Sequence, residues 1–144
     1  MTNTRKSLAE DLVRAHKALM KDLTTLHEAA KPGSGEGVVA LIARLGATRV
    51  HLTEHFRFEE QNGYMDTVRE REPRLERAMH QLAEEHGELR KSLDGLIKEA
   101  GDATSLGDGL REAIRTWIER VRQHEAREND LVQDAFDLDI GAED

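Results

Sequence analysis

The sequence predicts an all-α fold, an up-down-up-down antiparallel four-helix bundle, and three observations carry that prediction. Aromatic residues make up 3% of the chain and there are 2 prolines, while charged residues reach 35%. That is the balance of amphipathic helices with solvated outer faces, not of a sheet protein. Apolar residues recur at three- and four-residue steps in four separate segments, and breaker residues stand between them. At 144 residues the chain can bury a core without disulfides, so one domain over 1–144 is expected, with its core at about 7–136.

The first helix is predicted from about Ser7 to Ala30, on Leu8, Leu12, Leu19, Met20, Leu23 and Leu26, with charged residues between them. Lys31-Pro32-Gly33-Ser34-Gly35-Glu36-Gly37 ends it in a tight turn, which makes the next helix antiparallel. The second helix, about Val38 to Asn62, carries Leu41, Ile42, Leu45, Leu52 and Phe56, with Gly63 placed for a left-handed C-cap. Tyr64 to Glu72 reads as an irregular or single-turn link, and Pro73 suits the first turn of the third helix. That helix shows Leu75, Met79, Leu82, His86, Leu89, Leu93 and Leu96 in alternating steps of four and three. After the loop Gly101 to Gly109, the fourth helix repeats the rhythm with Leu110, Ile114, Trp117, Val121, His124, Glu128, Leu131 and Ala135. Past Phe136 the chain is short and acidic and is expected to fray. There is no internal repeat and no low-complexity tract.

Charge and cysteine content narrow the chemistry. The net charge is −8 with no basic stripe, which argues against nucleic acid as a partner. The absence of cysteine removes thiolate nucleophiles, disulfides, Fe–S clusters and Cys-rich zinc folds, so any metal must use histidine and carboxylate. Neither a secretory signal nor a membrane span can be drawn, and a cytoplasmic protein with no membrane partner is expected. The oligomeric state does not follow from the sequence.

The informative positions are the polar ones on apolar seams. His16 shares a face with Leu12, Met20 and Leu23; His55 and Glu59 are four apart on the face of Leu45, Thr48 and Leu52; His86 and the pair His124 and Glu128 interrupt the last two seams. Counted from the matching ends of antiparallel helices, all six fall at one level of the bundle. Burying four imidazoles and two carboxylates together without a cation is costly, because no Lys or Arg on the seams pairs with them. A metal centre resolves the conflict. Imidazole with carboxylate suits iron, manganese or zinc, and two metals sharing both carboxylates is the more economical arrangement. Helix adjacency assigns His16 and His55 to one metal, His86 and His124 to the other, and Glu59 and Glu128 to both.

The same residues, His16, then His55-Phe56-Arg57-Phe58-Glu59, then Glu85-His86, then His124 with Glu128, resemble the hemerythrin-like (HHE cation-binding) domain over about Leu8 to Phe136. The resemblance implies a four-helix bundle around an oxo- or hydroxo-bridged pair of iron ions that meets dioxygen, peroxide or nitric oxide, with a redox partner where electrons are needed. Oxygen-carrying members have HxxxH on the third helix and HxxxxD on the fourth. Here Leu82 stands four before His86, and Asn129 stands five after His124. The missing histidine leaves an open coordination position and argues against reversible oxygen carriage. The pattern is more similar to the bacterial H, HxxxE, H, HxxxE type.

Each motif alone has a plainer reading: a lone core histidine, or a surface i, i+4 pair. Two HxxxE motifs in seam register at one depth outweigh it. Two other readings stay open: a mononuclear zinc or manganese site held for structure, and a metal-free interaction module in which the polar seam fixes register. A ferritin-type oxidase ranks below these, since that group uses Glu-x-x-His. No separate general acid or nucleophile stands out, so turnover of O2 or peroxide stands beside binding, sensing and iron handling. Of the remaining residues, His51 is read as edge of core, with an added or supporting ligand as the alternative, His27 as structural, His80 as solvent-facing, and Glu54, Glu60 and Glu125 as surface charges, one of which could support a ligand from behind. Trp117 is read as core filling, Tyr64 as a candidate pocket wall, and Gly87 either as a point where helices approach closely or as a neutral glycine in a tolerant helix.

Overall fold

A computed structural model describes residues 2–35, 37–61, 64–103 and 107–136. Gly63, expected as a C-cap, and the acidic end from Asp137 onward lie outside the described residues, as do the side chains of Leu8, Leu12 and Tyr64. The chain is helical over most of this range, with no strand among the described residues: α1 (Thr2–Ala30), α2 (Val38–Gln61), α3 (Tyr64–Arg71), a 3-10 turn (Pro73–Leu75), α4 (Glu76–Asp102) and α5 (Asp108–Phe136).

The four long helices form a closed ring. α1 packs on α2, α2 on α4, α4 on α5 and α5 on α1, an arrangement compatible with a four-helix bundle. Its core is one apolar cluster: Leu19, Leu23 and Leu26 from α1, Leu41, Leu45, Leu52 and Phe56 from α2, Leu89 and Leu93 from α4, and Ile114, Trp117, Ile118 and Val121 from α5. Each fully buried Leu or Ile removes enough apolar surface to stabilise the fold by about 1.5–3 kcal/mol before entropy is counted. Trp117 lies in this core as expected, and its indole N–H donates to the Leu89 carbonyl at 3.1 Å, joining α5 to α4.

The connection after α1 folds as its breakers dictate. Gly33 and Gly35 adopt φ of 79° and 83°, left-handed values that a side chain would strain, and the Ser34 hydroxyl caps the end of α1 by donating to the Ala29 carbonyl at 2.9 Å. The Tyr64–Glu72 link differs from expectation. Its first eight residues form a helix, α3, which touches α2, α4 and α5. The segment is too polar and too short to show a 3.6-residue period, and its helix rests on these tertiary contacts. Pro73 opens the 3-10 turn that leads into α4, where its missing N–H costs nothing. Gly87 is exposed, and a Cβ there would meet nothing within 4 Å, so close helix approach does not explain it. No helix among the described residues is long and apolar enough to cross a membrane.

Candidate metal centre

The seams of α2, α4 and α5 turn polar together. His55 and Glu59 follow Leu52 on α2, His86 lies between Leu82 and Leu89 on α4, and α5 contributes His124, Glu125 and Glu128 after Val121. All six are buried, with relative exposures between 0% and 3%. His16 on α1 lies at the margin, its side chain 17% exposed.

The two shared carboxylates organise the cluster. Glu59 places Oε2 3.3 Å from His55 Nε2 and Oε1 3.3 Å from His86 Nε2. Glu128 places Oε1 3.7 Å from His55 Nε2, and Oε2 3.6 Å from His86 Nε2 and 3.5 Å from His124 Nε2. Each carboxylate thus faces His55 with one oxygen and the α4–α5 side with the other. The donor atoms fall into two sets, one of His86, His124 and Glu128 and one of His55, Glu59, Glu125 and Glu128, each with all its atoms within 4.8 Å of one another. Two donors bound to one ion at ~2.1 Å stand ~3.0 Å apart at right angles and ~3.4 Å apart at the tetrahedral angle, so these separations fit donors shared by a cation.

The unsatisfied atoms point the same way. Both Glu59 oxygens, Glu128 Oε2, Glu125 Oε2, His86 Nε2 and His124 Nε2 are buried without a hydrogen-bond partner. Buried polar atoms are nearly always paired, and leaving this many unpaired costs several kcal/mol. Imidazole nitrogens and carboxylate oxygens are the donors that transition cations accept, so the residues fit such an ion.

Outside this inner layer, carboxylates fix the rings. His86 Nδ1 donates to Glu60 Oε2 at 2.8 Å, and His124 Nδ1 donates to Glu85 Oε1 at 2.9 Å. Arg127 grips both oxygens of Glu85, at 2.6 and 2.8 Å. An ionised carboxylate only accepts, so the Nδ1 atoms carry the protons. Burial holds the pKa of both His86 and His124 below the ordinary imidazole value, which keeps the rings neutral and leaves Nε2 a bare lone pair facing inward. Phe56 stacks on His86 with ring centroids 3.8 Å apart and fixes the plane of that ring.

At the other side the proton stands where a metal would. Burial works against a charge on His55, but hydrogen bonds and charge from Glu125 and Glu128 overcome it and raise its pKa to about 10. Glu125 accepts from His55 Nε2 and from His16 Nδ1, each at 2.9 Å. Against the effect of burial, these bonds hold its pKa well below the carboxylate range. Glu128, fully desolvated, is shifted upward.

Five of the six expected residues, His55, Glu59, His86, His124 and Glu128, are therefore brought together. His16 reaches them through Glu125, its Nε2 turned toward the Asn129 amide at 3.4 Å. Glu125, expected at the surface, is buried among the donors. The signal for it was Ile118, seven residues earlier and fully buried. Glu60 is exposed as expected yet bonds His86, and Glu54 is exposed. His51, expected at the edge of the core, is exposed and pairs with Asp22 on α1. His80 faces solvent as expected. A cavity of about 330 Å³ opens between α1 and α2, lined by Ala15, Ala18, Leu19, His51, Phe58 and His55 among others.

No curated protein and no solved structure matches the chain. The family described as Hemerythrin HHE cation binding domain does match, over residues 7–136, a span that runs from α1 to the end of α5. By that match, and with histidines and glutamates gathered at the core of the ring as cation binding requires, the chain belongs to the hemerythrin HHE cation-binding family.

Proposed function

We propose that this chain is an up-down antiparallel bundle of the H, HxxxE, H, HxxxE type that holds two iron ions and uses them to bind or react with dioxygen, peroxide or nitric oxide. His55, Glu59, His86, His124 and Glu128 are the ligands in this reading, and His16, the sixth residue of the sequence pattern, stands beside them through its bond to Glu125. The observation that carries it is the split of Glu59 and Glu128, each with one oxygen toward His55 and the other toward the α4–α5 side. A single ion would need only one such set. The antiparallel course of α1 and α2 is supported by their cross-contacts: His51 pairs with Asp22, while His55, further along α2, meets His16, earlier on α1, through Glu125.

Iron held by these donors would supply Lewis acidity and electrons to a small oxidant. The protein's part is to hold the donors and limit water. Glu60 and Glu85 orient the His86 and His124 rings, while Phe56, Leu52, Leu89 and Val121 form apolar walls. The α1–α2 cavity gives a small molecule a path to the His55 ring from outside. A cytoplasmic setting, where a redox partner can return electrons, accords with this reading.

The test is metal analysis of the full chain produced with iron, followed by near-ultraviolet absorption before and after peroxide or nitric oxide. Two irons per chain and an absorption band that changes with either reagent are expected. Chelation should lower the melting temperature, since an ion at a thousand times its dissociation constant stabilises the fold by about 4 kcal/mol. One zinc or manganese per chain with no response to peroxide would replace this reading with a structural site, and a product that resists reconstitution would end it.

A further inference from the structure

The family's ligand pattern does not include Glu125, yet the side chain is 1% exposed and lies at the centre of the His55 side. Its Oε1 sits 2.9 Å from both His55 Nε2 and His16 Nδ1, and its Oε2 is buried with no partner. It belongs to the four-residue donor set with His55, Glu59 and Glu128. Three buried carboxylates therefore meet around one imidazole, and no Lys or Arg among the described residues pairs with any of them. Glu125 Oε2 and both Glu59 oxygens are buried there without a partner, and a cation would satisfy them.

We propose that Glu125 is itself a metal ligand at the His55 side, and that it makes the two metal positions unequal, one rich in carboxylate oxygen and the other rich in imidazole nitrogen. This rests on the two-metal reading above. The α4–α5 side offers His86 and His124 with the shared carboxylates, whereas the His55 side offers His55 and a carboxylate of its own. Oxygen donors favour hard ions such as Mn2+ or oxidised iron, and imidazole favours Fe2+, Zn2+ or Co2+. The two positions should therefore fill in sequence and differ in metal preference. His16, bonded to Glu125 through Nδ1, orients that carboxylate as Glu85 orients His124.

The alternative role for Glu125 is to accept hydrogen bonds from His16 and His55 and nothing more. Glu125→Gln separates the two, because the amide oxygen still accepts those bonds while the anionic donor is gone. The metal-free full chain and the variant are titrated with Co2+ and with Mn2+, followed by visible absorption for cobalt and by equilibrium dialysis with elemental analysis for both. Circular dichroism checks the fold. The parent is expected to take two ions at separable affinities. In Glu125→Gln one site should weaken by at least about tenfold, the other staying within about threefold, with a larger loss for Mn2+ than for Co2+. If Glu125→Gln does not fold, Glu125→Asp, which keeps the charge and withdraws the oxygen by one methylene, is expected to weaken the same site. Two ions bound by Glu125→Gln with parental affinity would overturn the assignment. A parent that takes one ion, lost in the variant, would overturn the two-metal reading and keep Glu125 as a ligand. A parent that takes none would overturn both.

Discussion

Two halves of one helical ring use the same positions for opposite ends. In the half nearer the α1–α2 turn, Leu23, Leu26, Leu41, Leu45, Leu93 and Ile114 close the core with apolar surface alone. In the other half, residues seven away on the same stripes are polar: Leu52 gives way to Glu59, Leu93 to His86, Trp117 to His124, Ile118 to Glu125 and Val121 to Glu128. Seven residues turn a helix through two turns less about 20°, so each pair looks into the same interior. Both halves are fully buried. Position in the heptad decides burial, and residue type decides whether burial stabilises the fold or strains it.

The largest effect expected from this contrast is in the apolar half. Leu93→Ala should cost about 2–5 kcal/mol, the loss of transfer energy plus an incompletely filled cavity, read as a shift in the denaturation midpoint. The metal count should not change. A variant that folds with parental stability would show that the apolar half does not carry the fold.

In the polar half the same kind of measurement should move in the opposite direction. Glu59→Leu removes two buried carboxylate oxygens that have no partner and leaves His55 bonded to Glu125, and should raise the stability of the metal-free chain by about 1–4 kcal/mol while weakening cation binding. A metal-free Glu59→Leu less stable than its parent would mean that the contacts of Glu59 are net stabilising.

A smaller effect is expected at the boundary with solvent. The Arg127 guanidinium, against the effect of partial burial and with help from His124, holds Glu85 below its ordinary value of 4.5. A carboxylate depressed in the folded state contributes stability above its unfolded pKa and loses it as pH falls through the folded value. Glu85→Gln should therefore cost about 0.5–1 kcal/mol near neutral pH, with the gap to the parent closing below about pH 4. A gap that stays constant down to acid would remove the charge on Glu85 as its cause.

Much of this arrangement was legible because helical periodicity is a strong local signal. The four long helices, the turn after α1 and five clustered donors all follow from apolar spacing, from breaker residues and from polar residues on the seams. Glu125 escaped for a geometric reason. A seam drawn as a single line of four- and three-residue steps admits one residue per turn, whereas a helix wedged between two neighbours buries a stripe at least ~100° wide. His124 and Glu125 are adjacent and both fall inside that stripe, one toward α4 and the other toward α1 and α2. His51 erred the other way: its step from His55 placed it at the margin, where Asp22 on α1 holds it in solvent. α3 has no apolar period to read, since its helix depends on neighbours distant in sequence.

Glu60 and Glu85 have a consequence beyond holding rings in place. An imidazole transmits polarisation between its two nitrogens, so a carboxylate on Nδ1 makes Nε2 a stronger donor. Both carboxylates belong to residues at the solvent boundary, with side chains 37% and 26% exposed. The electron richness of the interior nitrogens is thereby adjusted from outside, and replacements at positions 60 and 85 should retune how strongly those nitrogens hold a cation.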